Sequence, residues 1–246
     1  MDGGQRVAIV TGGSSGIGLA CGELLAERGY DVVLTARRHE PLREAAEAIG
    51  ARWLAADSAD EEAFTDVVDR TGRVDLVVHA AGVMRGTFVR RESTEVFDDV
   101  IRTNLRSAFV VSRAALPAMG AGGRFVFLSS SSARAPQPGK AAYSASKAGL
   151  NAFAAALASE VDRDGIAVHV VTTGPVATPM LDDVHFPMRT LTTREVASTI
   201  AWLDELPPTV VLPEVVLSAV EAGPFAREPF IPEAARALGR TELPGR

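Results

Sequence analysis

The chain has a single cysteine, Cys21, so no intrachain disulfide can form. Cys21 falls among Ala20, Leu24 and Leu25 in an apolar helical pattern and reads as a small packed side chain. Long hydrophobic runs are missing as well. No apolar stretch can span a bilayer, and the opening residues lack the apolar segment of a secretory leader. The expectation is a cytoplasmic protein without membrane attachment. Basic excess is also absent. Lys and Arg number 25 against 31 Asp and Glu, and the net charge of −6 argues against a general nucleic-acid binder. A metal-ligand cluster is lacking too: His185 stands beside Asp182 and Asp183 in a polar stretch and forms no ligand set, so no metal is expected. No repeat, low-complexity segment or linker divides the 246 residues. One domain spanning 1–246 is expected, with a proline-bearing tail from about Pro224.

What the chain does have is a regular alternation of short apolar runs and helical patterns. Strands are predicted at Val7–Val10, Asp31–Ala36, Arg52–Ala56, Val74–Ala80, Arg124–Leu128, Ile166–Val171 and Val215–Val220. Helices are predicted at Gly16–Arg28, Pro41–Ile49, Asp60–Arg70, Thr94–Met119 and Ala142–Val161. A further helix starts at the capping-box pair Thr192 and Glu195 and runs to Leu206. Strands that are apolar throughout are expected where helices cover both faces of a parallel sheet. The fold class is therefore α/β, a Rossmann-type doubly wound parallel sheet of about seven strands in a three-layer α/β/α sandwich.

Thr11-Gly12-Gly13-Ser14-Ser15-Gly16-Ile17-Gly18 lies between the first strand and the first helix. Glycines there allow close backbone approach, and the free N–H groups of a helix N-terminus favour an anion. At the first βα crossing of a doubly wound sheet, that anion is expected to be a dinucleotide pyrophosphate held by Gly12, Ser14, Ser15, Gly16, Ile17 and Gly18. After the second strand, NAD-binding sites usually place an acid against the ribose 2′-hydroxyl. Here Ala36 occupies that position, and Arg37 and Arg38 follow. A guanidinium pairs well with a phosphate, so NADP(H) is expected, with Arg37 as the main contact and Arg38 as a second one.

Tyr143-Ser144-Ala145-Ser146-Lys147 sets a phenol and an ammonium one helical turn apart, on one face. An ordinary tyrosine has a pKa near 10 and is a poor base. A lysine cation and an oxidised nicotinamide would both favour the phenolate, and reaching neutrality takes roughly 4 kcal/mol of differential stabilisation.

The spacing Thr-Gly-x-x-x-Gly-x-Gly, together with Tyr143 and Lys147, resembles the short-chain dehydrogenase/reductase family from about Val7 to Met180. The resemblance implies carbonyl–alcohol interconversion by hydride transfer, with Asn104, Ser130, Tyr143 and Lys147 as the catalytic group. Ser130 would bind the substrate oxygen. Four consecutive serines leave Ser129 and Ser131 as alternatives. Asn104 would hold a water linking Lys147 to solvent, and Lys147 would also bind the nicotinamide ribose. Val176 and Thr178 would meet the carboxamide, and Ala81 and Gly82 would let the cofactor approach closely. Asp57 matches the family's adenine-contacting acid; a helix N-cap is its competing reading.

Departures from the family pattern lead to further expectations. His79-Ala80-Ala81-Gly82 stands where the family has Asn-Asn-Ala-Gly, which implies the loss of a side-chain contact near the sheet. Thr173 replaces a proline in Thr173-Gly174-Pro175-Val176-Ala177-Thr178, which implies a looser loop. The segment Leu181–Leu191 is a short lid and suggests an open pocket for a bulky or carrier-bound substrate, with Met84 and Arg134 among its walls. Pro207-Pro208-Thr209-Val210-Val211 resembles a subgroup of 3-hydroxy-acid and serine dehydrogenases. Three classes stand after this reading: an NADP(H)-dependent carbonyl reductase or alcohol dehydrogenase, a related lyase or epimerase, and a non-catalytic cofactor-binding regulator. The partners implied are a small carbonyl or alcohol substrate and further copies of the chain, as a homotetramer or homodimer. The helices Thr94–Met119 and Ala142–Val161 would form the contact.

Overall fold

The computed structural model describes residues 4–181 and 189–220. The lid residues Asp182, Asp183, His185, Phe186 and Met188 and the tail from Pro224 lie outside the described residues.

The strands are β1 (Val7–Thr11), β2 (Asp31–Ala36), β3 (Arg52–Ala55), β4 (Val74–His79), β5 (Met119–Ser130), β6 (Ala167–Thr173) and β7 (Glu214–Leu217). They form one seven-stranded sheet in the order β3-β2-β1-β4-β5-β6-β7, every neighbouring pair parallel. The helices are α1 (Gly16–Glu27), α2 (His39–Ile49), α3 (Glu61–Thr71), α4 (Thr94–Ile101), α5 (Ser107–Ala115), α6 (Ala141–Val161) and α7 (Thr193–Asp204). The doubly wound α/β/α fold is the expected one. The chain order reverses between β1 and β4, and a crevice opens at the carboxyl ends of the strands there.

Strand alternation divides the core in two. Ala8, Val10, Val32, Leu34, Leu76 and Val78 face one side and pack with residues of α1, α2 and α7. Ile9, Val33, Val77, Phe125 and Phe127 face the other and pack with residues of α3, α5 and α6. Phe125 and Phe127, two apart on β5, stack with ring centroids 5.9 Å apart. Because both faces are covered, the strands carry apolar residues on both sides, which explains the unbroken apolar runs.

One expected element is wrong in its interior. The helix Thr94–Met119 is divided into α4, a π-turn at Arg102–Arg106, α5 and a 3-10 turn at Leu116–Ala118, and Met119 already belongs to β5. Pro117 explains the end: it lacks an N–H and its ring clashes with the preceding turn, so the α-helix stops at Ala115. The capping box of α7 is present, with Glu195 N–H donating to Thr192 Oγ1 at 3.2 Å and Thr192 N–H to Glu195 Oε2 at 2.7 Å. The last strand is shorter and earlier than Val215–Val220, because only Glu214–Leu217 finds partners on β6. No helix among the described residues is long and apolar enough to cross a membrane.

The amino ends of the strands are closed by charge. Arg6 holds Asp204 in a two-pronged pair at 2.7 and 2.8 Å, and the Tyr30 hydroxyl donates to the same carboxylate. Arg124, buried at the start of the central part of β5, lies 3.8 Å from Asp204 and donates to the Leu206 carbonyl. His169 Nδ1 lies 2.9 Å from the Leu212 carbonyl, which can only accept, so that nitrogen carries the proton. Its Nε2 then accepts from Arg124 at 3.2 Å. Burial pushes the His169 pKa down, in keeping with this neutral form.

Candidate active site

The turn from β1 into α1 depends on two glycines. Gly12 has φ +68, and a β-carbon there would stand 3.0 Å from the Ala81 backbone. At Gly18 a β-carbon would lie 2.4 Å from the Gly12 carbonyl oxygen, so α1 can sit against the turn only without a side chain. The first turn of α1 contains no acidic residue, and Ser15 at its N-cap makes no side-chain cap. The positive end of the helix therefore faces the crevice without a local counter-charge.

A cavity of about 670 Å³ runs along the carboxyl ends of the strands. The turn contributes Gly12, Ser14, Ser15, Gly16, Ile17 and Gly18 to its wall. Ala36, Arg37 and Arg38 line it after β2, and Asp57 lines it after β3. Ala81 and Gly82 line it after β4, and Val176 and Thr178 after β6. Arg37 and Arg38 are exposed at the rim. Asp57 is not the cap of α3, a role that Asp60 performs by accepting from Ala63 N–H at 3.0 Å. Asp57 instead accepts from Ala59 N–H at 2.9 Å and from Arg102 at 2.7 Å. Burial opposes its ionisation, but the Ala59 N–H, Arg102 and Arg37 outweigh it and hold the carboxyl below its ordinary value.

Tyr143, Lys147 and Ser130 all line the cavity. Both α6 side chains are buried, and Lys147 Nζ lies 6.0 Å from the Tyr143 ring centroid. Burial pushes the Tyr143 pKa up, with the facing Ser130 hydroxyl pulling the other way. Burial pushes Lys147 down to about 8, and its ammonium donates to the Leu128 carbonyl at 2.7 Å. Burial thus favours the protonated phenol in the absence of the nicotinamide charge that the phenolate reading requires. Ser130 is the serine that faces the phenol, while Ser129 Oγ is buried without a partner among the described residues and Ser131 is exposed at the start of a 3-10 turn.

Asn104 sits in the π-turn, fully buried behind the cavity. Its Oδ1 accepts from Val83 N–H at 2.8 Å, and its Nδ2 donates to the Val83 carbonyl at 2.9 Å and to Ser146 Oγ at 3.0 Å. Both amide hydrogens are therefore used, and the side chain ties the loop after β4 to α6. Gly82 lies in the angle between them, since a β-carbon there would be 3.3 Å from Asn104 Oδ1 and 3.6 Å from Lys147 Nζ.

Two expected losses do not occur. His79, in place of an asparagine, is buried with Nε2 at 2.8 Å from Ser107 Oγ, and Ser107 donates to the Thr103 carbonyl at 2.6 Å. With its proton given to Thr103, Ser107 accepts from His79, so the stabilising contact is replaced rather than lost. Burial, and next the Lys147 charge, push the His79 pKa down to about 3. Thr173 does not loosen its loop either. It is the last rung of β6, in register with Ser130 and Leu217, and Gly174 N–H donates to the Leu217 carbonyl at 2.9 Å. Beyond it, Ala177 N–H donates to the Leu191 carbonyl at 2.8 Å.

Four contributors were not expected from sequence: Thr11, whose hydroxyl accepts from Ala81 N–H at 3.0 Å, Ser146, Ser107 and Arg102. Ser146 carried a signal, since it lies in the same motif as Tyr143 and Lys147. The other three act through partners distant in sequence.

A family model described as short chain dehydrogenase matches residues 6–187. The chain is 34% identical over 222 residues to the acetoacetyl-CoA reductase of Cupriavidus necator, covering 81% of this chain and 90% of that protein. Among solved structures it resembles a short chain dehydrogenase from Burkholderia cenocepacia in complex with NADP, with a TM-score of 0.77 and 32% identity over 87% of this chain and 96% of that one. It also resembles an actinorhodin polyketide ketoreductase solved with NADPH, with a TM-score of 0.78 and 30% identity over 87% and 95% of the two chains.

Proposed function

The chain belongs to the short-chain dehydrogenase family and is an NADP(H)-dependent oxidoreductase that interconverts a carbonyl and an alcohol by hydride transfer; we propose that Tyr143 is its proton donor and acceptor, with Ser130, Lys147 and Asn104 as its helpers. The observation that carries this reading is that buried Tyr143 and Lys147 line one cavity with Ser130, whose hydroxyl faces the phenol.

The residues fit the cofactor. The N-terminus of α1 has no acid in its first turn and suits a pyrophosphate. Ala36 in place of an acid, followed by Arg37 and Arg38 at the rim, suits a 2′-phosphate. Asp57 would meet the adenine, Val176 and Thr178 the carboxamide, and Lys147 the nicotinamide ribose. Bound NADPH supplies the hydride.

The remaining tasks fall to this chain. Ser130 Oγ and Tyr143 Oη bind the carbonyl oxygen, and as the carbon gains hydride the phenol gives that oxygen its proton. Burial favours the protonated phenol, which is the form that carbonyl reduction uses. Lys147, with its pKa pushed down to about 8, can return a proton near neutral pH. Because the Asn104 amide hydrogens are engaged, its water would be held by a backbone carbonyl of the π-turn. Met84, Met180 and Leu181 give the substrate side an apolar wall, and a 3-oxoacyl compound is the class that suits it, as the name of the acetoacetyl-CoA reductase relative indicates.

Assembly as a homotetramer or homodimer is part of the same reading. Exposed Phe97 on α4 and Phe109 on α5, and exposed Trp202 on α7 and Val216 on β7, support it. The test is NADPH consumption against ketones, aldehydes and 3-keto esters. Tyr143→Phe is expected to lower kcat by about a hundred- to ten-thousandfold while the protein still binds NADPH. Undiminished turnover in that variant would overturn the assignment.

A further inference from the structure

The adenosine end of the cavity places a carboxylate beside the arginines proposed for the 2′-phosphate. Arg37 follows β2 and Asp57 follows Ala56, whose N–H donates to the Ala36 carbonyl at 3.0 Å. The two therefore leave neighbouring strands, which lie about 4.8 Å apart. The Arg37 charge acts on the Asp57 carboxyl and helps hold it below its ordinary value, so an unmasked carboxylate there would attract Arg37 more strongly and repel a phosphate seated on it.

Asp57 is not unmasked. Arg102, on the π-turn, reaches its Oδ2 at 2.7 Å, and Ala59 N–H takes Oδ1 at 2.9 Å. Arg106, four residues on, donates to the Ala59 carbonyl, so two arginines of one turn grip the loop after β3. Arg102 is not part of the cavity wall, whereas Asp57 and Arg37 are. Among the described residues Arg37 has no ion pair of its own.

We propose that Arg102 is a positioning residue for cofactor selectivity: by pairing with Asp57 it offsets part of the charge that competes with the 2′-phosphate for Arg37. The inference rests on the reading of Arg37 as the phosphate contact. It deepens that reading by assigning the preference for the phosphorylated cofactor to three residues from three elements. Arg102 acts only through Asp57, so its effect must vanish when that carboxylate is removed. The pair is partly exposed and contributes little to folding, and Arg106 still holds the loop without it.

The experiment measures Kd by calorimetry for NADP+, NAD+, 2′,5′-ADP and 5′-AMP. Arg102→Met is expected to lower the NADP+ over NAD+ preference about fivefold, with the same loss for 2′,5′-ADP and none for 5′-AMP. Arg102→Lys keeps the preference, and Asp57→Asn combined with Arg102→Met recovers it. The proposal is overturned if Arg102→Met weakens NADP+ and NAD+ alike, or if the double variant stays as unselective as the single one. Arg37→Ala separates the two readings: intact NADP+ affinity there sinks the phosphate contact itself. Lost affinity there with an unaltered preference in Arg102→Met sinks only the role of Arg102.

Discussion

The two ends of the sheet bury charge in opposite ways. At the amino ends, Asp204 is met by Arg6, Tyr30 and Arg124, and His169 accepts from Arg124. At the carboxyl ends, among the described residues, Lys147 is buried with no carboxylate against it, and His79 Nδ1 and Ser129 Oγ are buried without partners. A closed set of pairs stiffens a structure, and each member becomes costly to remove. A poorly compensated cation costs stability at all times, but it keeps a proton easy to move. The difference sets a tightly paired, static end of the molecule against the end proposed to react.

The sharpest way to break the contrast is Asp204→Ala. It leaves Arg124 buried without its counter-ion and should cost about 3–5 kcal/mol in urea unfolding. Turnover of the folded enzyme should change less than about twofold, since this end touches no reacting group. A large fall in kcat with unchanged stability would reverse the assignment of the two ends.

His79 gives the next largest effect. Its folded pKa lies near 3, well below the ordinary 6.5, so the unfolded chain binds the extra proton first as pH falls. Its contribution is intact above pH 6.5 and is lost progressively between 6.5 and 3, reaching about 3 kcal/mol at pH 4. His79→Asn should remove that loss, so that its unfolding free energy at pH 4 gains on the parent relative to pH 7. Parallel acid curves for the two proteins would show that burial does not control this group.

The smallest effect should come from Lys147→Met. Below pH 8 the folded parent carries a buried cation, and between about 8 and 10.5 it sheds the proton that the unfolded chain still holds, so its stability rises through that window. The variant avoids the penalty and should be about 1–3 kcal/mol more stable at pH 7, with the gain closing by pH 10.5. It should also lose activity. Thermal melts at pH 7 and 10 read the effect directly, and a destabilised variant at pH 7 would count against a costly buried lysine.

The reactive end was largely legible in sequence because its signals are local. Glycine spacing around Gly12 and Gly18 reports backbone approach, and Tyr143 with Lys147 shares a helical face. Thr192 and Glu195 announce their own cap. The static end was not legible: Arg6, Tyr30, Arg124, His169 and Asp204 have no common spacing, and only the closure of the sheet brings them together. The π-turn escaped for another reason. Its residues fit an ordinary helical pattern, and the partners that Asn104 and Arg102 find from it, Val83 and Asp57, are distant in sequence.

That widened turn also acts as a phase setter. Winding the same residues into an unbroken α-helix would turn everything before it by about 100° relative to everything after it. Val100, now packed with Ala142 and Tyr143, would swing off α6, while Val110 and Val111 kept their place in the core. One helix path thus serves two masters, the sheet and the active site, and a single extra residue lets each half keep its own angle.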